Sequence, residues 1–301
     1  MNYLITGGYG LIGSQLANSL IGNIFIVSRS KDKAKRVTVR AVEILKDIND
    51  LTLQDLEYAS PDVIYHCAST VDNYHIQTNP YIDMETNIKG TIHLLELVKQ
   101  LQKKPKVIYL STFFVYGNVF EEDKWPINEQ SRTDPLALYP ATKLCAESIV
   151  KCYAKLYGFD YLICRLSNVY GEKEDPTIKK AAFNLLLQKA KRKETISIYD
   201  NGAFYRDYIH VDDVVSALMF LDNRAKNDTF LIAYGKKVWF KDMIDFLVAK
   251  TGVQTTVVEP PPFHKVVGIR NFIADTSKLN ALGWEPHIDY KEGIMRILKY
   301  A

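Results

Sequence analysis

The chain opens on Asn2-Tyr3-Leu4-Ile5-Thr6, an unbroken apolar run of the kind carried by strands covered on both faces. Runs of the same texture recur at Ile24–Val27, Val42–Leu45, Val63–His66, Lys106–Ser111 and Tyr161–Leu166. Between them the apolar residues fall at helical spacing: from Gly13 to about Ile21, between Leu45 and Pro61, through a long pattern containing Asn87, Gly90 and His93, and again from Tyr139. Strands alternating with helices predict an α/β chain with a Rossmann-type, doubly wound parallel sheet. After Gly171 short aromatic-rich strands and helices alternate, with a Pro260-Pro261-Pro262 connector, which predicts a smaller α/β C-terminal substrate portion. The expected division is residues 1–167 plus about 208–232 as the dinucleotide-binding domain, with Val211–Leu221 returning to the main sheet. About 168–207 plus 233–301 form the remainder.

Composition narrows the classes. Of 301 residues 47% are apolar and 24% charged, the balance of a soluble globular protein. The net charge of +3 is spread out, and the densest basic run, Lys31–Arg40, contains Asp32 and follows a strand, so no nucleic-acid partner is expected. No apolar run approaches the ~20 residues that span a bilayer, and the N-terminus enters a strand without a basic leader. A cytoplasmic protein with no membrane partner is expected. Cys67, Cys145, Cys152 and Cys164 lack metal spacing and read as buried reduced thiols, and His66, His75 and His93 are no better placed, so no metal is expected.

Chemistry enters at the first turn. Gly8-x-Gly10-x-x-Gly13 stands between a strand and a helix, the context that gives this fingerprint its meaning. Glycines permit the tight turn and the approach of a pyrophosphate, and the helix start presents unpaired N–H groups. Gly7, Gly10, Leu11, Ile12 and Gly13 are therefore candidate cofactor contacts. The second strand ends in Ser28-Arg29-Ser30, where NAD-binding units usually carry an acid for the ribose 2′-hydroxyl. An Arg beside hydroxyls suits a 2′-phosphate, which favours NADP(H). NAD(H), served by Asp32 or a backbone group with Arg29 in solvent, stays open. Tyr139 and Lys143 lie one helical turn apart and share a face. An ammonium there would draw the phenol below its ordinary pKa of ~10, although alone the pair could equally be a solvated one. What counts is convergence: Gly7–Gly13, Ser28–Arg29, Ala68–Ser69, Thr112 and Ser167–Asn168 all follow strands, and ligands of such sheets lie at the strands' carboxyl ends.

With these residues in view the chain resembles the extended short-chain dehydrogenase/reductase family, in its nucleotide-sugar epimerase/dehydratase/reductase branch. The carriers are Thr6–Gly13, Asn87-Ile88-Lys89-Gly90-Thr91, Ser111–Gly117 and Tyr139-Pro140-Ala141-Thr142-Lys143. Arg165–Gly171, Arg206–Asp213 and Ala274–Lys278 extend the resemblance over nearly the whole length. It implies that Tyr139 is the catalytic acid/base, that Lys143 binds the nicotinamide ribose and that Thr112 bonds the reacting oxygen. Asp47 and Ile48 match adenine contacts, Ala68 and Leu166 further cofactor positions, and Asn168 and Arg206 positions that hold a nucleotide-sugar's diphosphate or sugar. A homodimer is implied as well.

Departures sharpen the expectation. Dehydratases of the branch carry an Asp-Glu pair after the catalytic Thr; here Phe113 and Phe114 stand there and can move no proton. Near the C-terminus many members carry an Arg-x-Gly-Asp stretch where this chain reads Lys265-Val266-Val267-Gly268, so either Lys265 replaces that Arg as a phosphate contact or the cradle differs. The function expected is hydride transfer at a ring carbon, C4, of a nucleoside-diphosphate sugar. A 4-ketosugar reductase using NADPH is slightly favoured; an NAD-dependent 4-epimerase is the alternative. A non-catalytic NADP-binding sensor is the different-class alternative, against which the Tyr139/Lys143 pair argues.

Overall fold

A computed structural model describes residues 1–70, 79–118, 126–172, 182–260 and 271–299. Lys265, His75 and two of the connector prolines, Pro261 and Pro262, lie outside these residues. The central sheet has seven strands: β1 (Asn2–Thr6), β2 (Asn23–Ser28), β3 (Val42–Leu45), β4 (Val63–His66), β5 (Lys106–Thr112), β6 (Tyr161–Leu166) and β7 (Asp228–Ile232). Their order is β7-β6-β5-β4-β1-β2-β3. The chain first builds outward from β1 on one side, then restarts at β4 on the other, so the order reverses between β1 and β4. That reversal opens a crevice at the strands' carboxyl ends. The pairs β1–β2, β1–β4, β2–β3 and β4–β5 are parallel, with Thr6 opposite His66, Ser28 opposite Leu45 and His66 opposite Tyr109. This register sets the ends of β1 to β5 on one edge.

Val211–Leu221, expected to return to the sheet, is a helix (Val211–Asp222), and the sheet strand that follows is β7. Val211, Val214, Val215, Leu218 and Leu221 are all buried, and their spacing of three and four is the period of a helix. The thiols also differ from expectation. All four are free, Cys164 is buried and Cys67 half-buried, but Cys145 and Cys152 are exposed. They stand seven residues apart on the helix Leu138–Tyr157, away from the face that buries Ala146, Val150 and Ala154.

The chain forms two compact units. The first comprises Met1–Val115, Ala137–Arg165 and Val215–Phe230. Its core sets Leu4, Ile64, Val107 and Tyr109 of the sheet against Leu94, Val98, Ala146 and Val150 of two helices. The second comprises Tyr116–Leu136, Leu166–Val214 and Leu231–Ala301. It buries Tyr170, Phe183, Leu187, Phe240, Met243 and Ile294 among three two-stranded pairings, one of which sets Tyr205–Arg206 against Val238–Trp239. Among the described residues no helix is long and apolar enough to cross a membrane.

Candidate active site

The turn after β1 is shaped by what a side chain would strike. Gly7 has φ +66°, and a Cβ on it would stand 2.9 Å from the Ala68 backbone. On Gly13 a Cβ would lie 2.6 Å from the Gly7 carbonyl oxygen. The backbone folds tightly there, with Gly10 N–H donating to Gly7 C=O at 2.9 Å. The helix Leu11–Ser19 starts at Gly10 without a side-chain cap, leaving its first N–H groups for a bound anion. A cradle with no room for a Cβ at Gly7 and Gly13 and with bare N–H groups at the helix start fits a dinucleotide pyrophosphate. Gly7, Gly10, Leu11, Ile12 and Gly13 are thus together.

At the neighbouring edge Ser28, Arg29 and Asp47 adjoin. Arg29 Nε lies 4.0 Å from Asp47 Oδ2, with the Arg side chain 71% exposed. Ser28 Oγ is spent on the Ser30 carbonyl at 3.1 Å, and Ser30 donates to Asp32 at 3.0 Å. Arg29 therefore faces a carboxylate, and a 2′-phosphate would have to share the place with it. Ile48 is buried and tight against Gly90, where a Cβ would meet its Cγ2 at 2.5 Å. That contact explains the glycine of the Asn87–Thr91 string. Arg29, Asp47, Asn49, Thr86 and Lys89 line an open pocket of about 400 Å³.

Thr112 and Tyr139 come together, and Lys143 follows Tyr139 one turn along the helix Leu138–Tyr157. The Tyr139 hydroxyl is hydrogen-bonded to the hydroxyls of Thr112 and Ser69. Phe114 N–H donates to Thr112 Oγ1 at 3.3 Å, and the Phe113 and Phe114 rings lie 4.2 Å apart. The electrostatics differ from expectation. Burial pushes the Tyr139 phenol up to about 12; the Thr112 and Ser69 bonds work against that and Asp83 adds to it. The Lys143 Nζ lies over the Tyr109 ring, 4.1 Å from its centroid. Burial brings Lys143 itself down to about 7, against the pull of Glu147, Cys67 and Asp83. Glu147, one turn beyond Lys143, is bonded by Arg165 at 2.7 and 3.0 Å and by Ser111 at 2.5 Å, all of them buried.

A chain of hydrogen bonds runs from β1 to the helix carrying Tyr139. Ala68 N–H donates to Thr6 Oγ1 at 3.1 Å, and Thr6 meets His66 Nδ1 at 2.8 Å. His66 Nε2 meets Thr91 Oγ1 at 2.9 Å, and Thr91 donates to the Asn87 carbonyl at 2.7 Å. Asn87 Nδ2 donates to Thr142 at 3.0 Å, and Thr142 donates to the Tyr139 carbonyl at 2.8 Å. Since the Thr91 hydrogen is committed to Asn87, His66 must donate through Nε2 and accept at Nδ1: it is neutral. The π-helical turn Met84–Lys89 places Asn87 in this chain. Burial, and next the charge of Lys143, lower His66 to about 3 from its model-peptide value of 6.5. The unfolded chain binds the proton more readily, so the neutral-His contribution is intact above about pH 6.5 and lost as pH falls towards 3. From this residue alone we expect stability to fall by about 1.4 kcal/mol per pH unit across that window. Urea unfolding at a series of pH values checks it: His66→Gln should flatten the slope by that amount, and an unchanged slope would contradict it.

In the second unit Arg206 Nη1 donates to Asn168 Oδ1 at 3.3 Å, and the guanidinium lies 5.5 Å from the Phe204 centroid. Asp207 holds Asn168. Its backbone carbonyl accepts from Asn168 N and Nδ2 at 3.2 and 2.9 Å. Its buried carboxylate takes the N–H groups of Tyr234 and Gly235 at 2.8 Å each. Burial pushes that carboxyl up to about 6 against these bonds. Leu166, at the end of β6, is buried. Among the described residues no group of His, Cys, Asp or Glu could hold a metal.

Sequence reasoning missed Ser69, Asp83, Tyr109, His66 and the Glu147–Arg165–Ser111 cluster. Ser69 was placed at the strand ends without a role. Glu147 follows Lys143 at helical spacing, a usable signal; the others depend on partners far away in the chain.

Residues 3–233 match the family described as the NAD dependent epimerase/dehydratase family. The chain is 30% identical over 302 residues to a putative UDP-glucose 4-epimerase of Methanocaldococcus jannaschii, covering 99% of this chain and 97% of that one. Its structure is similar to that of the Thermotoga maritima UDP-glucose 4-epimerase with UDP-glucose: TM-score 0.92, 28% identity, 100% of this chain and 98% of that chain. MoeE5 in complex with UDP-glucose and NAD is also similar, with TM-score 0.86, 25% identity and coverage of 100% and 98%.

Proposed function

Because the chain belongs to the NAD dependent epimerase/dehydratase family, we propose that it is an NAD-dependent 4-epimerase of a UDP-hexose. The observation that carries this reading is the meeting of the Tyr139, Thr112 and Ser69 hydroxyls, with phenylalanines in the two places next to Thr112. Such a site can take a proton from a sugar hydroxyl and give it back, and the two places after Thr112 carry no carboxyl group with which to expel water. The carboxylate of Asp47 beside Arg29 favours NAD over NADP, as do the relatives. This moves the preference from the NADPH-dependent reductase that Arg29 alone suggested to the epimerase.

Bound NAD, held at the glycine turn after β1 and by Lys143, would supply the hydride-accepting and hydride-donating chemistry at C4. The chain's residues do the rest. Thr112 and Ser69 hold the C4 oxygen and the Tyr139 oxygen in one place. Tyr139, as phenolate, accepts the C4 hydroxyl proton and later restores it. Lys143 supplies positive charge, binds the nicotinamide ribose and brings the phenol down from the value it has in the free protein. Asn168 and Arg206 would hold the diphosphate, for which an Arg fork is suited. A homodimer in the cytoplasm is part of the same proposal.

The test is incubation of purified protein with UDP-glucose and no added nucleotide, read by chromatography. Formation of UDP-galactose is expected, with NAD released on denaturation. Stoichiometric consumption of NADPH with a 4-keto sugar, and no epimer formed without it, would restore the reductase.

A further inference from the structure

Tyr109 has an unusual setting for a tyrosine. It sits in the middle of β5, 0% exposed, and its hydroxyl has no hydrogen-bond partner among the described residues. A buried, unpaired hydroxyl is costly to fold, so the residue's use has to lie elsewhere. Its ring face is where the Lys143 ammonium rests, 4.1 Å from the centroid, while the His66 ring packs 5.4 Å away. Lys143 is itself 2% exposed.

The charged and titratable neighbours explain why a ring holds this ammonium. Glu147 has both carboxylate oxygens engaged by Arg165, and Ser111 also donates to it. Asp83 accepts from Thr70 at 2.7 Å. His66 is neutral in its chain of hydroxyls, and the Cys67 thiol is pushed up to about 12 by burial, so neither is charged near neutrality. Tyr139 is likewise a neutral phenol in the free protein. A direct carboxylate pair would occupy the ammonium's N–H donors and hold them back from a ligand. An aromatic face attracts the charge without claiming a directed hydrogen bond, so the donors remain available.

We propose that Tyr109 is a positioning residue for Lys143, its ring face keeping the ammonium charged and its donors free for the ribose of NAD. The inference rests on the reading of Lys143 as a cofactor-binding residue. It goes beyond that reading in assigning the seat of the charge to β5, through the ring and not the hydroxyl.

Tyr109→Phe and Tyr109→Leu in the full chain separate ring from hydroxyl, with NAD binding followed by titration calorimetry and turnover followed across pH. Tyr109→Phe is expected to match the parent at every pH and to melt no lower, because it loses only an unpaired hydroxyl. Tyr109→Leu is expected to weaken NAD binding about tenfold near pH 8, where Lys143, brought down to about 7 in the parent, is already partly discharged and losing the ring discharges it further. Its alkaline loss of binding should begin at lower pH than in the parent, and the deficit should close below about pH 5, where the ammonium is charged in both. Equal behaviour of the Leu and Phe variants would overturn the proposal, and so would a Leu deficit that is constant with pH, which would be packing alone. If the Leu variant does not fold, Tyr109→Met, whose flexible chain fills most of the ring's space, takes its place under the same criteria. Lys143→Met run beside them keeps the two readings apart. If it binds NAD like the parent, the role of Lys143 fails; if it loses binding while Tyr109→Leu does not, only the role of Tyr109 fails.

Discussion

Tyr139→Phe should lower turnover by about 10²- to 10⁴-fold while leaving the melting temperature nearly unchanged. The substitution removes only the hydroxyl oxygen, which in the free protein bonds Thr112 and Ser69, and leaves the ring in its half-buried place. Those two hydroxyls can turn to each other or to a bound sugar oxygen, so folding loses little. On the proposed function, proton transfer to and from C4 loses the carrier assigned to it, and Phe113 and Phe114 offer no replacement. Single-turnover epimerisation with substrate in excess of KM measures the drop. Turnover within a factor of about three of the parent would remove Tyr139 from the acid/base role and reopen the sensor reading.

Glu147→Ala is expected to act through folding. The carboxylate is 1% exposed on its side chain and its Arg165 partner 6%, with Nη2 to Oε2 at 2.7 Å. Removing one member of a buried pair leaves the other charge uncompensated, which costs about 3–5 kcal/mol. Arg165 would then also raise the positive potential around Lys143. Replacing both, as in Glu147→Leu/Arg165→Met, removes the stranded charge and should recover most of the lost stability. Chemical denaturation of the three proteins decides it. A Glu147→Ala protein as stable as its parent would mean that the pair is compensated elsewhere.

The Rossmann-type sheet was legible because its strands are apolar throughout and its turns carry glycine where a Cβ has no room. Gly7, Gly13 and Gly90 each meet backbone or a packed side chain at less than 3 Å from the place a Cβ would take. Thr112, Tyr139 and Lys143 were legible because strand ends and one helical turn determine where they fall. The charge states were not. Helical spacing says that Tyr139 and Lys143 share a face, but not that a ring from β5 intercepts the ammonium. Nor does spacing reveal that Asp47 faces Arg29, since β2 and β3 pair only in the folded sheet. That contact is one of the grounds, with the NAD-bound solved structures, on which the proposed function prefers NAD to the NADP(H) drawn from Ser28-Arg29-Ser30. Val211–Leu221 was assigned to the return towards the sheet, where the period of its valines already argued for a helix.

The hydrogen-bond chain from Thr6 to Tyr139 has a direction, and direction matters to proton accounting. Ser69 donates to Asn87 Oδ1 at 2.9 Å, and the Asn87 amide donates in turn to Thr142. An amide cannot take up a proton near neutrality, so this branch is a dead end: a proton reaching Tyr139 cannot drain through Asn87 towards His66. For a reductase, which must be resupplied with a proton at every turnover, such insulation is a burden. For an enzyme that lends a sugar's proton to its own tyrosine and repays it within one residence, it is an asset. On the proposed epimerase reading, this branch does not carry the proton away from Tyr139 between its two transfers.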